Sequence, residues 1–371
     1  MRLEARILIV GGGPAGATAG RILAAGGADC IILEKNPIGA KPCGGGIPSG
    51  AFEEFQLPLS VIKRRIGLLK VCPPRSGSFE IGLGEGYLGI VERREFDQVL
   101  RGMARAEGAA VMNGSFIKIL ASGKTSVLSE AEIGGQKAEI RSEYVIAADG
   151  VNSRVRASLG LRPVTSLYTL GVKLPLQKPF REDCCEFYFG SSARGGYSWI
   201  FPGATYVSAG TGCTNPKKLK GGLERLLSQK RCPDAQNQNN ARGFRIPLWE
   251  PQALSRGNVL FAGDSAAQVM PFTFEGIYYA MRAGQFAAEA LALGKPALYR
   301  RHWTQRFRTR FRLMKTIWAA FLKNEAGTEL LLSALRDKGV QQRGIKLWLD
   351  KTEGRISLIS FVNALRKYVL F

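Results

Sequence analysis

A strand–turn–helix–strand pattern at the start of the chain constrains its fold more than any other feature. Residues 6–10 predict a buried strand, the residues after Gly16 an alanine-rich helix to about Gly26, and residues 30–33 a second strand that ends at Glu34. The turn after the first strand has the spacing GxGxxG, and its residues are Gly11, Gly13, Pro14, Ala15 and Gly16. Such glycines let the backbone approach a pyrophosphate, whose charge is stabilised by the unpaired N–H groups of the helix N-terminus.

An acidic residue completes this pattern. Glu34 stands 18 residues after Gly16, at the end of the second strand, where a carboxylate can accept hydrogen bonds from ribose hydroxyls. Lys35 follows it, and we include both residues in the predicted cofactor site. A glycine-rich turn alone is weak evidence, but the strand, the helix and the acid together favour a dinucleotide-binding unit over a turn without a ligand.

Two later segments favour FAD over NAD as the dinucleotide. Residues 144–156 predict a strand that runs into an Asp149–Gly150 turn and a helix. Residues 258–265 predict a strand that ends in Gly263–Asp264. In order and in local structure they are similar to the Asp-Gly and Gly-Asp motifs of FAD-dependent hydroxylase-type enzymes, the p-hydroxybenzoate hydroxylase-like superfamily.

A third segment, RxxFDxxL beginning at Arg93, matches the same superfamily. The resemblance implies that Arg93 lies close to FAD and that Asp264 binds the ribityl chain. We include Gly276 and Ile277 in the predicted cofactor site. Residues 271–284 are followed by a predicted alanine-rich helix through Leu293, whose N-terminus we expect to point at the pyrimidine edge of the flavin. A helix dipole there stabilises the negative charge of a reduced flavin.

Strand-rich stretches separate these motifs and predict a second sheet that covers the flavin and holds the substrate. The predicted class is therefore α/β: a Rossmann-like FAD-binding domain with an inserted antiparallel β-sheet substrate domain and a C-terminal helical region. The predicted boundaries are 1–65, 92–163 and 251–298 for the discontinuous FAD-binding domain, 66–91 and 164–250 for the substrate domain, and 299–371 for the helical, basic region.

Two further motifs resemble those of the geranylgeranyl reductase family. The first is the loop Lys41–Pro48, whose Pro-Cys-Gly-Gly core contains Cys43, Gly44 and Gly45. The second is YxWxFP followed after seven residues by GxG, and its residues are Tyr197, Trp199, Phe201, Pro202, Gly210 and Gly212. The resemblance covers residues 5–290. It implies an FAD-dependent enzyme that reduces double bonds of a geranylgeranyl or other polyprenyl chain.

Cys43 is the candidate catalytic residue, in a role that the sequence leaves open. The resemblance implies that Cys43, Gly44 and Gly45 lie against the flavin, where a thiol could donate a proton or position an alkene. Most free cysteines are instead small, buried packing residues, and on the sequence alone that alternative would be preferred.

The YxWxFP motif predicts an aromatic wall for the substrate. Tyr197 and Trp199 are two residues apart on a predicted strand, so they face the same side, and Phe201 continues that side. Such a stripe is more often simple core, but its combination with Pro202 and the two glycines favours a substrate wall. An aromatic surface suits a polyprenyl chain, which has few hydrogen-bonding atoms.

One position departs from the family pattern. The geranylgeranyl reductases usually have Pro-x-Thr-Gly-Glu-Gly beside the flavin, and here Phe274 replaces the first of these glycines. Because a glycine allows backbone to approach a ring closely, Phe274 puts the family's substrate pose in question, and we include it in the predicted substrate site.

The chain is strongly basic, with 52 Lys and Arg against 30 Asp and Glu and a formal net charge of +22. This charge predicts an anionic partner such as a phosphorylated substrate or a membrane surface. Residues 300–315 hold seven basic and no acidic residues. Aromatic and Met residues recur there every three or four positions, which predicts an amphipathic helix with Arg301, Arg308, Arg312 and Lys315 on its opposite face. Packing of the aromatic stripe on the FAD-binding domain is slightly favoured over insertion into lipid.

We expect a cytoplasmic protein, peripheral on the inner membrane face. No uncharged run approaches the roughly 18 residues of a spanning helix, and the first strand is too short for a signal-peptide core. The seven cysteines are scattered and lack the paired spacing of a zinc site, so we expect reduced thiols and no metal.

The leading prediction is hydride transfer from reduced FAD N5 to one alkene carbon of a long isoprenoid, with a proton added to the other. The electron donor is left open among NADPH, a ferredoxin and a flavodoxin, the last two as partner proteins. One alternative is a flavin-dependent monooxygenase or halogenase acting on an aromatic or apolar substrate. Another is a nonenzymatic nucleic-acid-binding protein, although no nucleic-acid module is recognisable and we expect no such partner.

Overall fold

The computed structural model describes residues 1–39, 41–232, 239–349, 351 and 355–368. By their contacts these residues form two compact units, each assembled from three stretches of chain. The first unit comprises Met1–Ala40, Arg94–Ser166 and Ile246–Phe311, and the second comprises Lys41–Arg93, Leu167–Arg245 and Arg312–Phe371. The predicted α/β class is confirmed, with one Rossmann-like sheet, a second sheet and a helical C-terminal part.

The predicted domain boundaries divide the chain by the ligand that each part would bind, FAD or substrate, and they stay a prediction. The contacts divide the chain at other places. Residues 41–65, which the prediction assigns to the FAD-binding domain, belong to the second unit, and residues 299–371 are shared between both units.

The described residues form 17 strands and ten helices. The strands are β1 Arg2–Val10, β2 Cys30–Glu34, β3 Gly46–Pro48, β4 Ile62–Ile66, β5 Leu68–Cys72, β6 Phe79–Gly82, β7 Leu88–Val91, β8 Ala110–Ser122, β9 Val127–Ile133, β10 Gln136–Ala147, β11 Ser166–Pro175, β12 Cys184–Tyr188, β13 Ser198–Pro202, β14 Tyr206–Cys213, β15 Arg242–Pro247, β16 Ser255–Arg256 and β17 Val259–Phe261. The helices are α1 Pro14–Ala25, α2 Gly50–Glu54, α3 Arg93–Ala106, α4 Arg154–Ser158, α5 Leu219–Gln229, α6 Ile277–Ala292, α7 Ala297–Phe321, α8 Glu325–Ala334, α9 Lys338–Leu349 and α10 Arg355–Arg366.

A parallel sheet organises the first unit. Strands β8, β2, β1, β10 and β17 are neighbours in that order and run parallel, and β9 joins β8 to β10 as an antiparallel strand. Val10 pairs with both Leu33 and Ala147, and Ala147 pairs with Phe261. The carboxyl ends of β1, β2, β10 and β17 are therefore level, so the loops that follow them meet at one edge, where open α/β sheets bind ligands.

Helices α1 and α6 pack against each other at very short range. A Cβ on Gly284 would lie 2.1 Å from the carbonyl oxygen of Ala15, and a Cβ on Gly263 would lie 3.2 Å from the Cβ of Ala15. Glycine is thus required at position 284 because the two helices leave no space for a methyl group. The contact fixes the start of α1 relative to α6.

The second unit contains a seven-stranded sheet in the order β15, β11, β14, β13, β12, β5, β6 and a three-stranded sheet in the order β3, β7, β4. The predicted antiparallel arrangement holds for four of the five described pairings in the larger sheet, and β12 pairs with β5 in parallel. One face of the larger sheet packs on α5 through Leu223 and Leu226. Side chains on the other face of this sheet pack against Leu332 of α8 and Trp348 of α9.

The basic helix predicted near the C-terminus is α7. Its stripe residues Tyr299, Trp303, Phe307 and Phe311 are buried, and within the first unit Phe311 contacts the rings of Tyr279 and Trp249. This burial agrees with the packing interpretation, because a stripe inside the protein cannot enter lipid. Within the part of the chain that the structure describes, no helix is both long enough and apolar enough to cross a membrane.

Replacing Gly284 with alanine tests the helix crossing. We expect G284A to lower the free energy of unfolding by about 2 kcal/mol, because its methyl group forces α1 and α6 apart. The matched control is G102A in α3, where a Cβ meets no atom within 4 Å. That variant should gain about 0.8 kcal/mol from helix propensity. Urea unfolding measures both values, and equal effects of the two substitutions would contradict the crossing.

Candidate active site

The glycine-rich turn of the first unit has the geometry of a phosphate cradle. Gly11 has φ of 100°, and a Cβ there would lie 2.4 Å from the carbonyl oxygen of Ala148, so the residue must be glycine. A Cβ on Gly16 would lie 1.9 Å from the Gly11 carbonyl oxygen. Gly13, the N-cap of α1, has no described atom within 4 Å of its Cβ position, and no side chain caps the helix. The uncapped N–H groups at the start of α1 and the open space beside Gly13 therefore lie at the same place.

Glu34 and an arginine that the motifs do not include hold this turn. Glu34 accepts a hydrogen bond from the Gly12 N–H at 2.8 Å, and Lys35 is exposed beside it. Arg101 is only 4% exposed and donates to the carbonyl oxygens of Gly12, at 3.0 Å, and Pro37, at 2.6 Å. Arg101 directly follows the RxxFDxxL motif, and that adjacency is the signal by which it could have been found.

The Asp149–Gly150 turn lies at the same edge of the sheet. One carboxylate oxygen of Asp149 accepts from the Val155 N–H at 3.1 Å, and the other is buried with no hydrogen-bond partner among the described residues. Burial raises the pKa of Asp149. Gly150 has φ of 80° and open space around its Cβ position. An unpartnered buried acceptor next to open space is what a ligand hydroxyl or N–H group would satisfy.

A buried arginine joins this turn to the Gly263–Asp264 turn. Arg156, 8% exposed, donates to the carbonyl oxygen of Ser265 at 3.2 Å and lies 5.3 Å from the ring centroid of Phe261. The hydroxyl of Ser265 donates to the Ala147 carbonyl oxygen at 2.6 Å. The ends of β10 and β17 are thereby held together.

Gln268 and Tyr299 fix the backbone of the Gly263–Asp264 turn, and the sequence did not identify either. The Gly263 N–H donates to Gln268 Oε1 at 2.7 Å, and Gln268 Nε2 donates to the hydroxyl of Tyr299 at 2.9 Å. That hydroxyl donates to the Phe261 carbonyl oxygen at 2.6 Å. All of these groups are buried, so the network is shielded from water.

Gly276 and Ile277 stand at the start of α6, which begins earlier than the helix predicted after residue 284, and Gly276 is close to Asp264. A Cβ on Gly276 would lie 3.6 Å from Asp264 Oδ1. No side chain caps this helix N-terminus, and Ile277 is buried. The first unit therefore brings together two uncapped helix N-termini, three glycine-lined turns and the three carboxylates of Glu34, Asp149 and Asp264. This donor set fits the pyrophosphate, ribose and ribityl groups of FAD.

Phe274 is in an unfavourable backbone conformation. It has φ of 55°, and Phe272, two residues before it, has φ of 80°. The left-handed region costs a bulky L-residue about 1 kcal/mol or more. A glycine at position 274, as in the family pattern, would adopt this conformation without that cost, so the departure is a source of local strain.

The Cys43 loop belongs to the second unit, where it lies on β13 and β14. A Cβ on Gly44 would lie 2.5 Å from the ring of Phe201, and the hydroxyl of Ser208 donates to the Cys43 carbonyl oxygen at 3.4 Å. Gly45 has φ of 80°, and its N–H donates to Cys43 Sγ at 3.3 Å. The sulfur is half-buried and oriented by the backbone of its own loop.

The YxWxFP…GxG motif is a single packed surface. The indole of Trp199 lies over Gly210, where a Cβ would be 2.3 Å from the ring, and its N–H donates to Ser208 Oγ at 3.4 Å. Tyr197 contacts Phe187 at 5.3 Å between ring centroids. A Cβ on Gly212 would lie 2.9 Å from Leu167, and Pro202 ends β13. Gly210 thus makes room for the indole ring, and Gly212 for the side chain of Leu167.

The predicted site residues divide between the two units. The first unit holds the glycine-rich turn, Glu34, both aspartates, the start of α6 and Phe274. The second holds Cys43, Gly44, Gly45, the aromatic motif and Arg93, which is 6% exposed at the start of α3.

Comparison with known proteins agrees with this geometry. A family model described as an FAD binding domain matches residues 4–47 and 59–294, well over half of the chain. The fold and the match together define an FAD-dependent oxidoreductase.

Relatives identify the family more closely. The chloroplastic geranylgeranyl diphosphate reductase of Arabidopsis thaliana is 30% identical over 93% of this chain and 80% of its own length. Digeranylgeranylglycerophospholipid reductase 1 of Methanothermobacter thermautotrophicus is 33% identical over 79% of this chain and 78% of its own length. The chain belongs to the geranylgeranyl reductase family.

Solved structures share the fold. A geranylgeranyl bacteriochlorophyll reductase-like protein from Thermoplasma acidophilum superposes with a TM-score of 0.82 at 22% identity, over 99% of this chain and 97% of the other. A flavin-dependent brominase superposes with a TM-score of 0.72 at 18% identity, over 98% and 99%. At these identities the likeness shows a common architecture and does not distinguish reduction from halogenation.

The contact between Trp199 and Gly210 can be tested by one methyl group. We expect G210A to reduce turnover of a prenyl substrate at least tenfold while flavin content is unchanged, because the indole must leave the aromatic surface. G82A, in the same sheet, adds its methyl group to open space and should keep its activity. Activity per bound flavin is the measurement, and parallel losses in both variants would contradict the role of this contact.

The strain at Phe274 can be separated from the loss of its ring. F274A and F274G both remove the ring, but only glycine relieves the left-handed backbone. We expect F274G to exceed F274A in the free energy of unfolding by about 1 kcal/mol. Chemical denaturation measures the difference, and an alanine variant as stable as the glycine variant would show that position 274 is unstrained.

Proposed function

We propose that the protein saturates carbon–carbon double bonds of a geranylgeranyl or other polyprenyl chain with FAD as its redox cofactor. The observation that carries the proposal is the Cys43 loop packed on the aromatic surface of Trp199 and Phe201. This surface offers ring faces, and the indole N–H of Trp199 is already bonded to Ser208 Oγ, which suits an isoprenoid. The names of the family relatives, which refer to geranylgeranyl diphosphate and to a digeranylgeranyl phospholipid, support the same class of substrate.

The cofactor residues of the proposal are those of the first unit. The N-termini of α1 and α6 stabilise negative charge on the pyrophosphate and on the reduced flavin. Glu34 accepts from ribose hydroxyls, Asp264 from the ribityl chain, and the free oxygen of Asp149 from a further donor of the cofactor. Arg101 and Gln268 act through the backbone turns that they hold.

When bound and reduced, FAD supplies a hydride to one alkene carbon, and a proton added to the other carbon completes the saturated bond. We propose that Cys43 delivers this proton, because its sulfur is half-buried on the loop that packs on the aromatic surface. An isolated alkene is a poor hydride acceptor, so orientation and exclusion of water are what the aromatic residues contribute. Two electrons must then come from an external donor, for which NADPH, a ferredoxin and a flavodoxin are the predicted candidates.

We also propose a cytoplasmic protein that associates with anionic membrane surfaces. Arg301, Arg308 and Arg312 are exposed on α7, on the face opposite its buried aromatic stripe. Basic side chains near a membrane surface each contribute roughly 1 kcal/mol of attraction to anionic headgroups. If this part of the proposal holds, the protein binds anionic vesicles, and its affinity for them falls as salt is added.

Product mass tests the reaction. Holoenzyme reduced with dithionite in the absence of oxygen should convert geranylgeranyl diphosphate to products that each carry two additional hydrogens per reduced bond. An unchanged substrate, together with an oxygenated or halogenated acceptor once air is admitted, would support the monooxygenase or halogenase alternative.

The same assay tests Cys43. If its thiol supplies the proton, C43S should lower kcat roughly 100-fold, within the usual range for an acid catalyst, with flavin content unchanged. The control is C72S, at another half-buried cysteine of the second unit. A C43S variant that turns over as fast as C72S would exclude the thiol as the proton donor.

A further inference from the structure

The face of the larger sheet that carries the aromatic surface also carries polar side chains to which the proposed function gives no role. Ser208 of β14 pairs with Phe201 of β13 and with Lys173 of β11. Paired residues point to the same face of a sheet, and so do residues two apart on one strand, which adds Tyr206. Glu92, the residue after β7, hydrogen-bonds with the side chains of Lys173 and Tyr206. We call these three residues the polar triad: Glu92, Lys173 and Tyr206.

The side chains of the polar triad contact one another directly. Lys173 Nζ donates to both carboxylate oxygens of Glu92, at 2.8 and 2.6 Å, and lies 4.2 Å from the ring centroid of Tyr206. The hydroxyl of Tyr206 hydrogen-bonds with the same carboxylate. Its ring packs on Gly203, where a Cβ would lie 2.7 Å from the ring. The triad is therefore a continuous series of groups that can exchange protons.

Two hydrogen bonds hold the Cys43 loop beside the polar triad. The hydroxyl of Ser208, two residues from the tyrosine of the triad and on the same face, donates to the Cys43 carbonyl oxygen at 3.4 Å. The Val91 N–H donates to the Gly45 carbonyl oxygen at 3.0 Å, and Glu92 directly follows Val91. The loop is thus attached to both strands whose ends carry the acid and the tyrosine of the triad.

The polar triad extends from solvent towards this loop. Side-chain exposure falls from 52% at Lys173 to 23% at Glu92, and Tyr206 is half-buried, as Cys43 is. Burial, followed by the hydrogen bond and the charge of Glu92, raises the pKa of Tyr206, and a negative charge on Cys43 raises it further. Tyr206 is therefore held in its protonated form, and it can pass a proton on only while it receives another.

We propose that the polar triad returns a proton to Cys43 after each reduction of a double bond. The inference rests on the proposed function, in which Cys43 gives its proton to an alkene carbon and is left as a thiolate. Tyr206 donates its proton to the thiolate sulfur and takes one from Glu92, which takes it from the ammonium group of Lys173. Lys173 recovers a proton from water, and the hydroxide leaves into the solvent. Only protons move, so the step needs no oxidant or reductant.

A separate proton route is useful because a polyprenyl chain has several double bonds. A chain that covers the aromatic surface keeps water away from the alkene and from the loop beneath it. Cys43 must nevertheless be protonated again before the next bond is reduced. The exposed end of the triad at Lys173 connects the loop with solvent without requiring the chain to leave.

Replacing Tyr206 with phenylalanine removes the hydroxyl and keeps the ring. In the first reduction by dithionite-reduced holoenzyme, Cys43 already carries its proton, so Y206F should oxidise its flavin within twofold of the wild-type rate. In continuous turnover, kcat of Y206F should fall at least tenfold. E92Q, whose amide cannot pass a proton on, should show the same difference between the two rates. The control is Y168F, at a tyrosine of β11 on the opposite face of the sheet, which should match the wild type in both rates.

Rescue by a small acid distinguishes proton supply from a structural role. Added ammonium, at constant pH and ionic strength, should raise continuous turnover of Y206F and leave that of the wild type unchanged. Equal losses in the first reduction and in continuous turnover, no loss in either, or no response to ammonium would overturn the relay while the proposed function stands. A wild type whose reduced flavin is oxidised by no prenyl compound would instead overturn the proposed function, and the relay with it.

Discussion

The contact between α1 and α6 is the constraint on which the cofactor cradle depends. Gly284 lies against the Ala15 carbonyl oxygen so closely that a methyl group does not fit, and Gly263 lies against the side chain of Ala15. Because these helices touch, the glycine-rich turn and the Gly263–Asp264 turn meet at one edge of the sheet. The remaining groups of the cofactor cradle follow strands whose carboxyl ends are level, because Val10 pairs with both Leu33 and Ala147.

Patterns within short segments made most of the first unit predictable. The glycine-rich turn with its flanking strands and helix, the Asp149–Gly150 turn and the Gly263–Asp264 turn each depend on neighbours in sequence, so single motifs suffice to locate them. The aromatic motif was located for the same reason. Gly210 of this motif now has a physical explanation, because it makes room for the indole of Trp199. Gly44 of the Cys43 loop makes room for the ring of Phe201 in the same way.

Contacts between distant segments were not predictable from one sequence. Arg101 and the Gln268–Tyr299 pair hold the turns through backbone atoms. The position of Arg101 directly after the RxxFDxxL motif is its only local signal, and Gln268 and Tyr299 have no local signal of such a bond. The parallel pairing of β12 with β5 joins segments more than 100 residues apart. The packing of α8 and α9 on the sheet depends on ordinary apolar residues. At Phe274 the sequence showed a departure from the family motif, and the backbone angles add that the position is strained.

Reduction of a prenyl double bond is tested most directly by the flavin spectrum of the reduced holoenzyme after rapid mixing with a polyprenyl substrate in the absence of oxygen. The absorbance of oxidised flavin should return at a rate that depends on substrate concentration. It should not return with a fully saturated chain of the same length. Reoxidation that occurs only when oxygen is admitted, whatever the prenyl compound, would contradict the assignment of this chain as a reductase.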